Sequence, residues 1–350
     1  MPSHITHLLF AEDTCSEAGL ERLLEPENRS PLVLGAQGPD IFYHNQRRRP
    51  SGLSYGSLMH RHSYGAAVAE MSRWAWRNSL PIESWAGAWT IGFATHAILD
   101  RYTHPYINYF SGWVEPGDPH TERYRSMHPF LERLIDVALL KRFRGIHTND
   151  LGFFTIVDCG EEVPDEWLDM MSFALRETYE RASKDRDLLA RLTSAYLDSR
   201  GYYKFTNVVD ERHLSEALRR EERGEIGTRW LSIVHPPNVP EDVDVLNTGR
   251  VSWCHPCSSR ETYAESFLDL YRAALRESVR TARTIADAWC GAGSPAQRGS
   301  AIEEAVRNWN LSDGRDTERA CHKKHAAPLR LGEVQARIRA SIREGRGGRV

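Results

Sequence analysis

Apolar residues with helical spacing organise most of this chain. Tyr263, Phe267, Leu270, Tyr271, Ala274 and Leu275 fall on one face of a 3.6-residue repeat and predict a helix to about residue 289. Residues 164–183, 185–197 and 211–224 follow the same pattern. Nearer the start, 15–25 read as a short helix, and 54–79 as a longer one with His60 near its beginning. Residues 126–140 read as a helix that tolerates Pro129 in its first turn. From Pro81 another helix is expected to about Tyr102, closed by Pro105, because a proline disfavours helical backbone in the residue before it. Residues 27–53, 111–120 and 225–260 are punctuated by Pro, Gly and Asn and read as irregular, and 341–350 as a frayed tail. The expected fold is an all-α multi-helix bundle. Its core is in 1–145, a helical insertion with no assigned role follows in 146–250, and C-terminal helices in 251–350 complete the core.

One stretch departs from ordinary patterning. The apolar run from Trp85 to Leu99 holds His96 and ends on Asp100. It is too short, and too polar at its end, to span a membrane. Burying ionisable groups is costly unless they are paired or coordinated. Residues four apart on a helix share a face, so His96, Asp100 and His104 form one stripe, and His128 and Glu132 a second. His7, His60 and the Asp40 of Gly38-Pro39-Asp40 add three more groups, with Asp40 expected on a loop. Any one of these alone reads as a satisfied core histidine or a helix-surface hydrogen bond. Together, eight nitrogen and oxygen donors exceed what one tetrahedral ion uses, and their chemistry suits zinc. Two to three ions in a polynuclear cleft at one end of the bundle are expected.

These residues resemble the zinc-dependent phospholipase C family, which shares a superfamily with single-strand nucleases. The resemblance rests on residues 1–11 (MPSHITHLLFA), on 34–42 (LGAQGPDIF) and above all on Gly92-x3-His96-x3-Asp100-x3-His104-Pro105 followed by His128-x3-Glu132. It covers residues 1–140, looks like the bacterial intracellular branch, and returns weakly at Trp253-x-His255-Pro256. It implies an all-helical fold with three zinc ions. Asp40, His60, His96 and Asp100 would hold the first; His104, His128 and Glu132 the second; His7 and a bridging Asp100 the third. In the secreted members the mature N-terminal residue also chelates the third ion; here Pro2 or His4 would take that place. His62 is the alternative to His60. Ile41 stands where the secreted enzymes carry an aromatic, so their choline pocket is not implied.

Composition narrows the function. The net charge of −3 gives no strong nucleic-acid signal. The first residues carry neither a basic segment nor an apolar h-region, and the six cysteines have no disulfide-framework spacing, which points to a cytoplasmic protein. Cys254-His255-Pro256-Cys257 reads as structural thiols, a redox pair or part of a metal site. Arg47-Arg48-Arg49 either grips a phosphate or is a solvated basic loop. Cys321-His322-Lys323-Lys324-His325 is either a metal tract or an ordinary basic segment. His120 is a proton donor or merely exposed, and Trp253 and His255 pack on the first half or line the cleft. The chain has no adjacent His-Asp, no Glu-x-x-His repeats, no His-Glu-x-x-His, and no Walker or Rossmann loop.

The expected activity is therefore zinc-dependent hydrolysis of a small-molecule or lipid phosphoester by metal-activated water, with Asp40 orienting or deprotonating that water. The alternatives are a non-catalytic zinc-bound scaffold or interaction protein, and a nuclease or nucleotidase of the same superfamily.

Overall fold

The computed structural model describes residues 4–206, 211–316 and 321–344. The expected all-α bundle is what is found, with one small β-ribbon added. The N-terminal part comprises α1 (His4–Ala18), α2 (Pro26–Ala36), α3 (Asp40–Tyr43), α4 (Leu53–Met59), α5 (Tyr64–Arg77), α6 (Trp85–Ser111) and α7 (Met127–Arg144). The middle part holds α8 (Thr148–Leu151), α9 (Phe153–Val157), α10 (Asp165–Thr178), α11 (Glu180–Ser183), α12 (Leu188–Thr206) and α13 (Glu211–Glu222). The antiparallel ribbon of β1 (Trp253–His255) and β2 (Ser258–Tyr263) then precedes α14 (Phe267–Cys290), α15 (Pro295–Val306) and α16 (Leu331–Arg343).

Helix α6 is the axis of the bundle, with α1, α2, α5, α7 and α14 packed around it. Almost every residue of α6 from Ala86 onward is buried, which explains a sequence apolar on all sides rather than on one stripe. Its start is fixed by Ser84, whose hydroxyl accepts from the Gly87 N–H. Helix α2 crosses α6 at close range: a Cβ on Gly35 would strike the Trp89 backbone, and one on Gly92 the Leu32 backbone. That approach carries the C-terminal end of α2 onto the His96 turn. Helix α1 is seated by Asp136 of α7, which accepts from the backbone N–H groups of Ile5 and Thr6 at 3.2 and 2.6 Å. His7 is thereby held above α6.

Several expected boundaries move. Residues 27–53 are not all irregular: α2 begins at Pro26, a favoured first helical position, and continues through Pro31, and Asp40 opens a helical turn instead of lying in a loop. The first helix spans His4–Ala18 rather than 15–25. The expected 54–79 helix breaks after Met59, and Ser63 at φ 60° separates α4 from α5, so His60 closes a helix. Pro105 does not end α6, which runs on to Ser111 and packs Tyr106 and Phe110 against Trp253; that burial outweighs the local cost of the proline. Part of the expected 225–260 loop forms the ribbon, and Tyr263 stacks on Trp253 instead of starting α14. None of the described helices is long and apolar enough to cross a membrane.

Candidate metal centre

The structure brings the eight expected groups together as three sets: Asp40–His60–His96 and His7–His96–Asp100, which share His96, and a separate His104–His128–Glu132. Within each set the ligand atoms lie within 4.8 Å of one another. Asp100 sits in the middle. Its Oδ1 is 3.3 Å from His7 Nε2, and its Oδ2 is 3.1 Å from His96 Nε2 and 3.8 Å from His60 Nε2. Asp40 Oδ1 is 3.2 Å from His60 Nε2, and His128 Nε2 is 2.9 Å from Glu132 Oε1. The grouping differs from the one the resemblance implies in one respect. His96 is shared between two sets, yet one Nε2 lone pair serves one ion, so Asp100, which offers a different oxygen to each side, is the group able to bridge.

Ring orientation is decided outside the cluster. His60 Nδ1 donates to the Gly56 carbonyl at 2.8 Å, His96 Nδ1 to Ala36 at 3.1 Å and His104 Nδ1 to Leu311 at 2.7 Å. Each bond fixes the tautomer that leaves an Nε2 lone pair facing the carboxylates, the arrangement used by metal-ligating histidines. Leu311 also donates its own N–H to the His60 carbonyl at 2.8 Å, so one backbone residue of the C-terminal part braces two ligands. Gly38 must be a glycine: its φ is +55° and a Cβ there would run into the His96 ring.

Inside the cluster, close approach replaces hydrogen bonding. His7 Nε2, His96 Nε2, Asp40 Oδ1 and both Asp100 oxygens are buried without a hydrogen bond. Orphaned buried polar atoms are costly, and here both ring nitrogens and carboxylates converge on one point. A divalent cation accounts for all of them, so the residues present fit a metal. Burial works to raise the Asp40 carboxyl, but His60 and His96 overcome it and leave it lowered to about 2. Asp100 is likewise held well below the usual carboxylate range, against burial, by His104 and His96. Burial lowers His104 to about 4, depresses His7 and His128, and pushes Glu132 up to about 7. The lowered imidazoles of His7, His104 and His128 and the ionised aspartates are the ligand forms a cation requires, whereas Asp100 raises His96 against burial and burial raises Glu132, so binding there releases protons. His128, with its side chain 24% exposed, is the solvent-facing edge.

The remaining candidates fall elsewhere. His62 lies against Ser63 and Tyr179, outside the cluster. His4 Nε2 accepts from Arg133 Nη2 at 3.1 Å, and its ring stacks on Phe153, so it turns from the third set; Pro2 lies outside the described residues. The Arg47-Arg48-Arg49 run is anchored on α12: the N–H groups of Arg47 and Arg48 and the Arg48 guanidinium donate to Asp198. His120 is exposed on a 3-10 turn. Trp253 packs on α6, and His255 Nε2 donates to the Asp313 carbonyl. The Cys254-x-x-Cys257 pair does not close on itself; Cys257 forms a disulfide with Cys321, across 64 residues. Sequence spacing offered no sign of that pairing, nor of Leu311, whose part is played by backbone atoms alone.

Comparison of the chain with protein-family models, curated proteins and solved structures found no match in any of the three.

Proposed function

We propose that the chain is a metal-dependent hydrolase of phosphate esters, similar in its centre to the zinc-dependent phospholipases C. The observation that carries this reading is the set of imidazole Nε2 atoms pinned toward orphaned Asp40 and Asp100 oxygens by Nδ1–carbonyl bonds. Zinc suits the nitrogen–oxygen donor set, and two to three ions suit its size. Asp40, His60 and His96 would hold one ion, with Asp100 bridging to a second beside His7; His104, His128 and Glu132 would hold another. When bound, the ions supply Lewis acidity and bring the pKa of a water toward neutrality. Asp40, ionised at neutral pH, balances cation charge and orients that water by accepting its hydrogen bond. So acidic a carboxylate suits orientation better than proton transfer. The His128 edge is where substrate reaches the centre.

A second reading is a non-catalytic metal scaffold. What favours it is that every ligand except His128 is deeply buried, as in closed structural sites. One experiment separates the two. Protein purified without chelator is expected to contain two to three zinc ions and to hydrolyse at least one of a panel of phospholipids, nucleotides, short oligonucleotides and aryl phosphates, with chelation abolishing turnover and zinc restoring it. A metal ratio at or below one sinks the polynuclear centre. A fully loaded protein inert on the whole panel leaves the scaffold.

A further inference from the structure

The ligand stripe of α6 has a fourth member that is not a metal ligand. Asn108 follows His96, Asp100 and His104 at the same four-residue interval. Its Nδ2 donates to the Ser312 carbonyl at 3.3 Å, which turns its Oδ1 outward to accept from Lys323 Nζ at 3.0 Å. The Lys323 ammonium also lies 5.0 Å over the Trp113 ring. Among the described residues it has no ion pair; the nearby Glu115 instead accepts from Trp113 Nε1. A half-buried ammonium served by one neutral amide and an aromatic face is under-compensated. Burial accordingly lowers Lys323 from its ordinary value. Its partner Asn108 stands one turn beyond His104, whose ring centroid lies 5.6 Å from that of His128, the accessible edge of the centre.

Lys323 is placed there by a strap. After Cys321, the N–H groups of Lys324 and His325 donate to the Pro256 carbonyl, Ala327 N–H to Tyr109 and Leu329 N–H to Phe110. The strap thus lies along the last turn of α6 and is moored at its start by the Cys257–Cys321 disulfide, with Cα atoms 5.9 Å apart, and by Cys321 N–H donating to Asp313 at 2.7 Å. Both moorings lie within two residues of Lys323. The basic tract of 321–325 is therefore neither a metal site nor a free tail.

We propose that Lys323 binds anionic phosphoryl oxygens of the substrate at the His128 edge of the centre, held in position by the Cys257–Cys321 disulfide. The proposal rests on the phosphoester reading and sharpens it. An extra cation beside the accessible ligand favours a phosphate carrying two negative charges, as in a phosphomonoester, over a zwitterionic diester headgroup.

The test uses zinc-loaded full-length protein and inorganic phosphate as probe, titrated calorimetrically. Lys323→Met is expected to weaken phosphate binding roughly tenfold, the size of one charge-assisted hydrogen bond, and Lys323→Arg to recover most of it, both with metal content unchanged. Reduction, or the Cys257→Ser/Cys321→Ser variant, is expected to weaken phosphate binding about two- to fivefold without loss of metal. Phosphate affinity unchanged in Lys323→Met overturns the proposal, as does loss of metal in both Lys323 variants, which would assign the residue a structural task. If the wild-type protein binds phosphate through Lys323 yet turns over no ester, the hydrolase reading falls and the anion site stands. If esters are hydrolysed with phosphate affinity indifferent to Lys323, the anion site falls alone.

Discussion

Among the described residues, histidines converge with acidic or thiol side chains in two places, and the two are built for opposite ends. In the cluster around Asp100, each of His60, His96 and His104 spends Nδ1 on a backbone carbonyl and keeps the Nε2 lone pair for the interior. In the group of His255, Cys257 and Cys321, also within 4.8 Å, His255 Nδ1 accepts from the Cys257 N–H at 3.1 Å while Nε2 donates to Asp313. Both ring nitrogens are consumed there, and the two sulfurs are bonded to each other. Residue type and spacing do not separate a metal centre from a structural knot; the partner of the second ring nitrogen does.

The largest expected effect tests that distinction directly. Asp100→Asn removes the carboxylate between His7 and His96, and is expected to lose at least one ion per chain and to cut any hydrolytic rate by two orders of magnitude or more. His7→Ala, which touches one set, should do less. His255→Ala should leave the metal count unchanged. Elemental analysis of the three variants beside wild type decides the matter. A metal count that follows His255 and ignores Asp100 would reverse the comparison.

A second effect follows from the protons. In the metal-free protein His104 is lowered to about 4, and His7, His128 and His235 are also depressed, all chiefly by burial. Unfolded histidines protonate near 6.5, so below that pH the unfolded chain binds more protons than the folded one. Stability should fall as pH drops from about 6.5 through about 4, each such histidine contributing up to about 1.4 kcal/mol per pH unit. Glu132, raised to about 7 by burial, and His96, raised by Asp100 against burial, act with the opposite sign, but they are two groups against the several lowered histidines. Asp40, lowered to about 2, adds to the acid loss at the low end. Denaturant titrations of chelator-treated protein at pH 7.5, 6 and 5 should give a falling series, and zinc should raise the curve most at pH 7.5, where its ligands are deprotonated. A flat series would mean that the cluster's histidines titrate normally and are not buried as described.

How far the site was legible in the sequence depends on which atoms build it. The stripe of His96, Asp100 and His104 stood out because ionisable side chains at four-residue spacing in an apolar run are expensive unless used. His128-x3-Glu132 followed by the same periodicity. The carbonyls of Gly56, Ala36 and Leu311, which orient the rings, carry no side-chain signature and emerged only from three-dimensional packing. Helix α2 was hidden because Pro26, Gly35 and Pro31 read as loop punctuation, although proline suits a first turn and glycine a close helix crossing. The Cys257–Cys321 bond was hidden by distance along the chain, and β2 by a run, Ser258–Tyr263, with little apolar alternation.

The smallest expected effect concerns two histidines two residues apart. His60 and His62 flank the break between α4 and α5, and the family resemblance left either as the ligand. The break itself chooses. His60 caps α4, its Nδ1 reaches back one turn to Gly56, and its Nε2 comes 3.2 Å from Asp40. His62 has turned past the corner that Ser63 makes in the left-handed region; its Nδ1 lies 3.2 Å from the Ser63 hydroxyl and its ring against Tyr179. His62→Ala therefore removes a partly exposed ring contact and no ligand. It should leave zinc content within error of wild type and cost only a few tenths of a kcal/mol, as surface substitutions do. His60→Ala should lose metal from the Asp40 side of the centre and expose the orphaned Asp40 oxygen as a stability cost of about 1–3 kcal/mol in the metal-free protein. Zinc analysis and urea unfolding of the pair measure both. Equal zinc loss in the two variants would mean that the α4–α5 corner is not set as described, and that the Asp40 set is closed from the other histidine.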